Sequence, residues 1–333
     1  MQNVLTIIAG MGEALRPADI DAAADALRAA GAATGKPEAL AEGIAADLPF
    51  GGIDAAAANA AARAALAGRR LDLGAQVAAG RRKRLLVADM ESTIIENEML
   101  DELADELGLR AQIAGITARA MNGELDFAAA LRERVGLLAG LPDAALERAG
   151  RRIRTVPGAR TLVATMRAHG AFAALVSGGF TVYTARVRQE VGFDVDQANR
   201  LEVEDGMLTG RVAEPILGRE AKEAALRRLA ADQGIAVSEA MAVGDGANDL
   251  AMLAVAGAGV AFRAKPIVAA QARLRIDHAD LTALLLRADL QWAPAMPEAE
   301  RAQLRREWET RLARLDMRAA VELVRVPADA GTG

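Results

Sequence analysis

Three short apolar runs punctuate the middle of the chain, at 85–88, 173–176 and 241–243. Each ends abruptly at Asp, Ser or Gly, and stretches of helical periodicity separate them. Continuous apolar runs alternating with helices predict buried strands of a parallel sheet. Upstream, a β-branched run at 2–10 precedes an Ala-rich helix at about 19–30, closed by Gly31. A strand is expected over 39–50, a helix over 54–67 and a strand over 71–78. This β-α-β-α-β order predicts a small α+β domain of ferredoxin-like type. Between the first two apolar runs lie about eighty residues, too many for one crossover. Helical periodicity at 97–108, 111–121, 126–138 and 143–149 predicts a helical cap inserted above the sheet, about 96–155. Asp205-Gly206 is a type I′ turn signal for a hairpin over 199–213. The basic cluster at 80–84 reads as a solvated linker. The domains expected are therefore 1–80, 81–290 and a helical tail at 291–333. In the tail Leu304, Trp308, Leu312 and Leu315 form an apolar stripe.

Composition narrows the chemistry. The 333 residues include no cysteine and only two histidines, which excludes thiolate metal sites, disulfides and cysteine nucleophiles. His169 precedes Gly170 at a helix end and reads as structural; His278 is expected at the surface. The net charge of −5 argues against a nucleic-acid partner. The segment GAATGK at 31–36 is one residue short of a P-loop and runs into Pro37. The first residues lack a basic n-region, and the longest uncharged apolar run, 250–262, is too short for a bilayer. A cytoplasmic protein without a membrane partner is the expectation.

In an open α/β sheet, ligands bind beyond the carboxyl ends of the strands. The residues there are Asp89-Met90-Glu91, Ser177-Gly178-Gly179 and Gly244-Asp245-Gly246-Ala247-Asn248-Asp249. Asp89 and Glu91, two apart in extended chain, project to one side, and mutual repulsion should push one toward its protonated form. Ser177 and the glycines after it offer a hydroxyl and approachable N–H groups to an anion. The acidic, Gly-rich loop suits a hard divalent cation. Lys222 opens a helix between these last two segments.

Taken in order, these segments resemble the four motifs of the haloacid dehalogenase superfamily, a doubly wound parallel α/β sheet with a helical cap. VADMESTIIENEMLDELA, ITARAMNGELDFAAALRERV, VSGGF and GDGANDLAML are similar to the branch that hydrolyses O-phospho-L-serine. The likeness covers 85 to about 287, and the N-terminal region resembles the ACT-like domain of some bacterial members. The resemblance implies Mg²⁺-dependent hydrolysis of phosphoserine to serine and phosphate, the last step of serine biosynthesis, through an aspartyl-phosphate. It implies Asp89 as nucleophile and Glu91 as general acid and base. Ser177, Gly178, Lys222 and Asn248 would hold the phosphate. Asp89, Asp245 and the carbonyl of Glu91 would hold Mg²⁺, with Asp249 just outside. In the cap, Glu98 would meet the substrate ammonium, Arg134 its carboxylate, and Met121 and Phe127 would exclude water. ACT-like domains often pair, which makes a homodimer a further expectation.

The family usually carries Asp where this chain has Glu91. Glu puts the same group on one more methylene, and a shift of roughly 1 Å can cost about 10²-fold in rate. Either Glu91 folds back and works, or the site is impaired and the chain senses phosphoserine or serine. A phosphatase or phosphotransferase for another small amino-acid phosphate is the third reading. On the misfit idea, Asp at position 91 leaves activity equal or higher.

Overall fold

The computed structural model describes residues 1–121 and 124–288. The N-terminal run forms β1 (Asn3–Ala9), followed by α1 (Pro17–Ala29), β2 (Ala33–Thr34), β3 (Glu38–Ala41), β4 (Ala45–Gly51), α2 (Ala55–Ala65) and β5 (Leu71–Val77). The strands make one antiparallel sheet in the order β2-β4-β1-β5, with β3 also paired to β4. Both helices press small residues, Ala23, Ala24, Ala58 and Ala62, onto Leu5, Ile7, Leu48 and Phe50. The expected α+β unit is present, with one correction. The stretch 39–50 is not one strand, because Gly43 adopts a positive φ of 66° and turns the chain into the β3–β4 hairpin.

The apolar runs of the middle region become β6 (Leu85–Ala88), β7 (Phe172–Phe180) and β11 (Ala240–Gly244). Between β6 and β7 lie α3 (Met99–Leu107), α4 (Arg110–Met121), α5 (Phe127–Gly136), α6 (Ala144–Gly150) and α7 (Ala159–Ala168). After β7 come α8 (Thr181–Val191), β8 (Val195–Asn199), β9 (Leu201–Glu204), β10 (Met207–Val212) and α9 (Arg219–Asp232). Past β11 follow α10 (Leu250–Val255), β12 (Ala258–Phe262), α11 (Pro266–Gln271), β13 (Leu274–Ile276) and α12 (Ala283–Arg287). Six strands form a parallel sheet in the order β13-β12-β11-β6-β7-β8. Apolar clusters cover both of its faces, which is why its strands read as unbroken apolar runs. Strand β6 lies between β11 and β7, so the three motif-bearing strand ends fall side by side. The β9–β10 hairpin turns at Asp205 and Gly206, both with positive φ, as the sequence predicts.

The two sheets meet edge to edge, β5 against β13. Here the structure corrects the sequence reading. Arg81 and Lys83, expected to be solvated, are buried. Arg81 donates to Asp47 at 2.5 Å and to the carbonyls of Leu286 and Arg287. Lys83 donates to the carbonyls of Gly80 and Ser238. Asp72 accepts backbone N–H groups from Asp277, His278 and Ala279. His278 is half-buried rather than exposed, with its Cβ close against Gly10. His169 caps the end of α7, as expected. No described helix is long and apolar enough to cross a membrane. The tail at 291–333 and its apolar stripe lie outside the described residues.

Candidate active site

Asp89 follows β6 directly, and its N–H is bound by the carbonyl of Val243 on β11. That bond holds the first strand end level with the third. Asp245 follows β11, and Asp249 lies one turn further on. Gly244 makes this fold-back possible, since a side chain there would overlap the Asp249 carboxyl group. One carboxylate oxygen from each of Asp89, Asp245 and Asp249 lies within 4.8 Å of the others, and all three residues are buried. Lys222, in the first turn of α9, is 2 % exposed. Its Nζ sits 2.6 Å from Oδ1 of Asp89 and 2.6 Å from Oδ1 of Asp249. The second oxygen of Asp249 accepts the Gly246 N–H at 2.9 Å. Asp249 thus has both oxygens engaged, whereas the Asp245 carboxylate has, among the described residues, two long contacts, to Thr93 Oγ1 at 3.5 Å and Lys265 Nζ at 3.9 Å.

Charge in this crevice is unbalanced. Burial, reinforced by Asp249, pushes the Asp89 carboxyl up to about 7 despite Lys222. Burial raises Asp245 to about 6, with Lys265 opposing. For Lys222 burial works against the charged form, but Asp89 and Asp249 outweigh it and hold the ammonium charged. Three acids share one close lysine, all the free donors are oxygens, and that set fits a hard divalent cation.

On β7, Ser177 is buried and its Oγ accepts the Gly179 N–H at 2.9 Å. A side chain at Gly179 would crowd both Ser177 Oγ and Glu91 Oε2, and one at Gly178 would press on the Phe127 ring. Phe127 opens α5, where Asp126 caps the helix by accepting the Ala129 N–H. The same ring lies over Gly218, just before α9. Phe127 therefore spans the two segments that carry Ser177 and Lys222.

Glu91 does fold back. Its Oε1 accepts the Met99 N–H at 2.8 Å at the start of α3, and its Oε2 lies beside Gly179. Burial first, then the charge of Glu98, raise the Glu91 carboxyl to about 8. Glu98 is exposed at the N-cap of α3 and accepts the Ser92 hydroxyl at 2.7 Å. Arg134, half-buried in the last turn of α5, donates to the carbonyl of Ala130. Burial lowers its pKa, while the carboxylates of Glu91, Asp101 and Glu98 act in the opposite direction. Asn248 sits in the loop beside Asp245 with its side chain against Gly246. The side chain of Met121 lies outside the described residues.

Sequence reasoning missed two residues here. Asn199, at the end of β8, donates to the carbonyl of Gly178 at 2.8 Å and accepts the Leu217 N–H at 2.7 Å. It ties the Ser-Gly-Gly segment to the chain entering α9. Lys265 is the other. Each stands alone, outside any recognisable motif, so neither leaves a local signal.

Residues 86–254 match the family of haloacid dehalogenase-like hydrolases. A phosphoserine phosphatase of Streptomyces coelicolor is 45% identical over 232 residues, covering 67% of this chain and 57% of that protein. One from Streptococcus thermophilus is 47% identical over 199 residues, covering 60% of this chain and 93% of the relative. A solved structure described as a phospho-aspartyl intermediate analogue of phosphoserine phosphatase superposes with a TM-score of 0.58 at 40% identity, covering 62% of this chain and 98% of the other. The chain belongs to the haloacid dehalogenase-like hydrolases. Within that class it stands among the phosphoserine phosphatases.

Proposed function

We propose that this protein hydrolyses O-phospho-L-serine to L-serine and phosphate, with Mg²⁺ as cofactor and Asp89 as nucleophile. The observation that carries this reading is the buried crevice in which Asp89 stands with Lys222 and the Asp245–Asp249 loop, next to the strand that ends in Ser177–Gly179. Phosphoryl transfer needs an in-line nucleophile, positive charge around the equatorial oxygens and exclusion of competing water. Asp89, Asp245 and the carbonyl of Glu91 would hold Mg²⁺, and Asp249, with both oxygens engaged, would support them from outside. The bound ion would neutralise charge on the phosphoryl group.

Asp89 attacks phosphorus and displaces the serine oxygen, which takes a proton from Glu91. A carboxyl that titrates near 8 is protonated at neutral pH and can supply that proton. Glu91, now a carboxylate, then removes a proton from the water that attacks the aspartyl-phosphate, and Asp89 is regenerated as phosphate leaves. Ser177, the Gly178 N–H, Lys222 and Asn248 bind the phosphoryl oxygens, and Phe127 keeps bulk water out. Glu98 and Arg134 face the ammonium and carboxylate of the serine part, where a guanidinium–carboxylate fork gives directional selection.

The folded-back Glu91 favours an active enzyme over a phosphoserine sensor. A panel of phosphate esters at fixed Mg²⁺ tests this. Phosphoserine should release phosphate fastest, and EDTA should stop the release. Arg134→Ala should lower kcat/KM for carboxylate-bearing esters selectively. Binding of phosphoserine without turnover would establish the sensor, and equal turnover of esters lacking a carboxylate would overturn the substrate assignment.

A further inference from the structure

A cleft of about 160 Å³ opens where the end of α2 and the start of β5 meet β13, and it shares no lining residue with the catalytic crevice. Its charged walls are Arg63, Arg69, Asp72, Arg275 and Asp277. The acids are already committed. Asp72 accepts three backbone N–H groups, from Asp277, His278 and Ala279, at 2.7, 3.2 and 2.8 Å. Asp277 accepts Nη2 of Arg275 at 2.6 Å. Arg69 is engaged by Glu13 at 3.2 Å and Asp19 at 2.9 Å.

The cations retain unused donors. The Arg63 side chain makes no hydrogen bond or close ion pair among the described residues. The Nε atoms of Arg69 and Arg275 are buried without a partner among them. Behind the cleft, Arg287 is 1 % exposed and donates to the carbonyl of Arg275, while its Nε and Nη1 are also unpartnered. Gly74 makes room for this guanidinium, which a side chain at that position would overlap. Burial first, and the charge of Arg275 second, lower the pKa of Arg63, while Asp277 and Asp72 act in the opposite direction. Buried donors normally find acceptors, and guanidiniums are planar forks matched to carboxylate and phosphate oxygens.

We propose that this cleft is a second binding site, for a small oxyanion held between Arg63 and Arg275 at the junction of the two sheets. Its donors and size suit a small oxyanion. At about 30 Å³ per water, the space holds roughly five waters, enough for phosphate or a small carboxylate. Phosphate is the favoured occupant, because its second charge answers two guanidiniums that lack a full set of acceptors. The site does not depend on the reaction proposed for the crevice, and its test reads no turnover.

The full chain, with ¹⁵N-labelled arginine and glycine, is titrated with inorganic phosphate, then acetate, against sodium chloride of matched ionic strength. The Nε–H signals of Arg63 and Arg275 should shift and saturate with phosphate, and with acetate only at higher concentration. Arg63→Gln should weaken the phosphate affinity read at Arg275 at least tenfold, and Arg63→Lys less. The Gly178 amide reports phosphate entering the crevice and should titrate identically in both variants. Tighter saturation by acetate would assign the site to carboxylates instead. Chloride reproducing the shifts, or Arg63→Gln leaving the Arg275 titration unchanged, would overturn the proposal.

Discussion

Two buried clusters of charge lie in this molecule, and they are built on opposite plans. At the seam between the sheets, each acid has a dedicated set of partners. Asp47 receives Arg81 and the Thr6 hydroxyl at 2.6 Å, and Asp72 receives three backbone N–H groups. In the crevice, Asp89, Asp245 and Asp249 share one close lysine, and two of them are pushed up to about 7 and 6. A buried charge is tolerated when it is paired and hydrogen-bonded. The acids of the seam satisfy that condition by themselves, so they serve cohesion. The crevice does not, and the unfilled demand for positive charge is what suits it to a cation and a phosphoryl group.

Exchanging one acid at each place should separate the two plans most sharply. Asp89→Asn should remove turnover, by a factor on the order of 10⁴ or more. Its metal-free melting temperature should stay at or above that of the unaltered chain, because a disfavoured buried charge is gone. Asp47→Ala should do the reverse. It leaves Arg81 buried without its carboxylate, a loss of about 3–5 kcal/mol. That is a large share of a total stability of about 5–15 kcal/mol. The folded fraction should keep its kcat. Denaturant unfolding and steady-state rates on both variants check the pair, and a kcat loss in folded Asp47→Ala would show that the seam and crevice are coupled.

A smaller effect is expected at Glu91. Glu91→Gln removes the exchangeable proton and should cost about 10²–10⁴ in kcat, the usual range for general acid–base help. Glu91→Asp is a finer probe. The hydrogen bond from Met99 N–H depends on the longer side chain, so the expectation of equal or higher activity is revised. A lost bond of about 1 kcal/mol predicts a loss within tenfold. Higher activity in Glu91→Asp would show that the extra methylene is a misfit after all.

The crevice was legible in sequence, and the seam was not. Parallel strands bring their carboxyl ends to one edge, so local order along the chain becomes proximity in space. Asp89, Ser177 and Asp245 could be placed together on that rule alone. No comparable rule links Thr6, Asp47, Asp72, Arg81 and Arg287. Thr6, Asp47, Asp72 and Arg287 each stand singly in apolar stretches, and Arg81 lies in a basic run that resembles a linker. Thr6 and Asp47 meet across β1 and β4, but Asp72 gains its N–H partners only where β5 docks on β13. The hairpin at Gly43 was missed for a related reason, because alanine-rich strands carry little alternation to mark a turn. Asn199 shows the same limit inside the site, since its role comes from two carbonyls and an N–H that the fold delivers from β7 and the approach to α9.

The gentlest way to sharpen the contrast is pH. Asp89 and Asp245 titrate at about 7 and 6 in the folded chain, against about 3.9 for an aspartate in an unfolded one. For carboxyls raised in this way the folded state binds more protons than the unfolded state. Their contribution to stability is present in full below about pH 4 and is lost as pH rises through the folded values. Other groups oppose this at the acid end, so the measurable quantity is a difference between chains. In the presence of EDTA, the unaltered protein should lose melting temperature between pH 4 and 8 relative to Asp245→Asn, with the loss falling at about pH 4–6. Added Mg²⁺ should raise the melting temperature of the unaltered chain most at pH 8, where the carboxylates are ionised, and that of Asp245→Asn far less. Asp47→Asn should melt lower than the unaltered chain by the same margin at both pH values and should leave the response to Mg²⁺ intact. If Asp245→Asn and the unaltered chain follow parallel curves in EDTA, the crevice carries no excess charge, and the distinction between the two clusters fails.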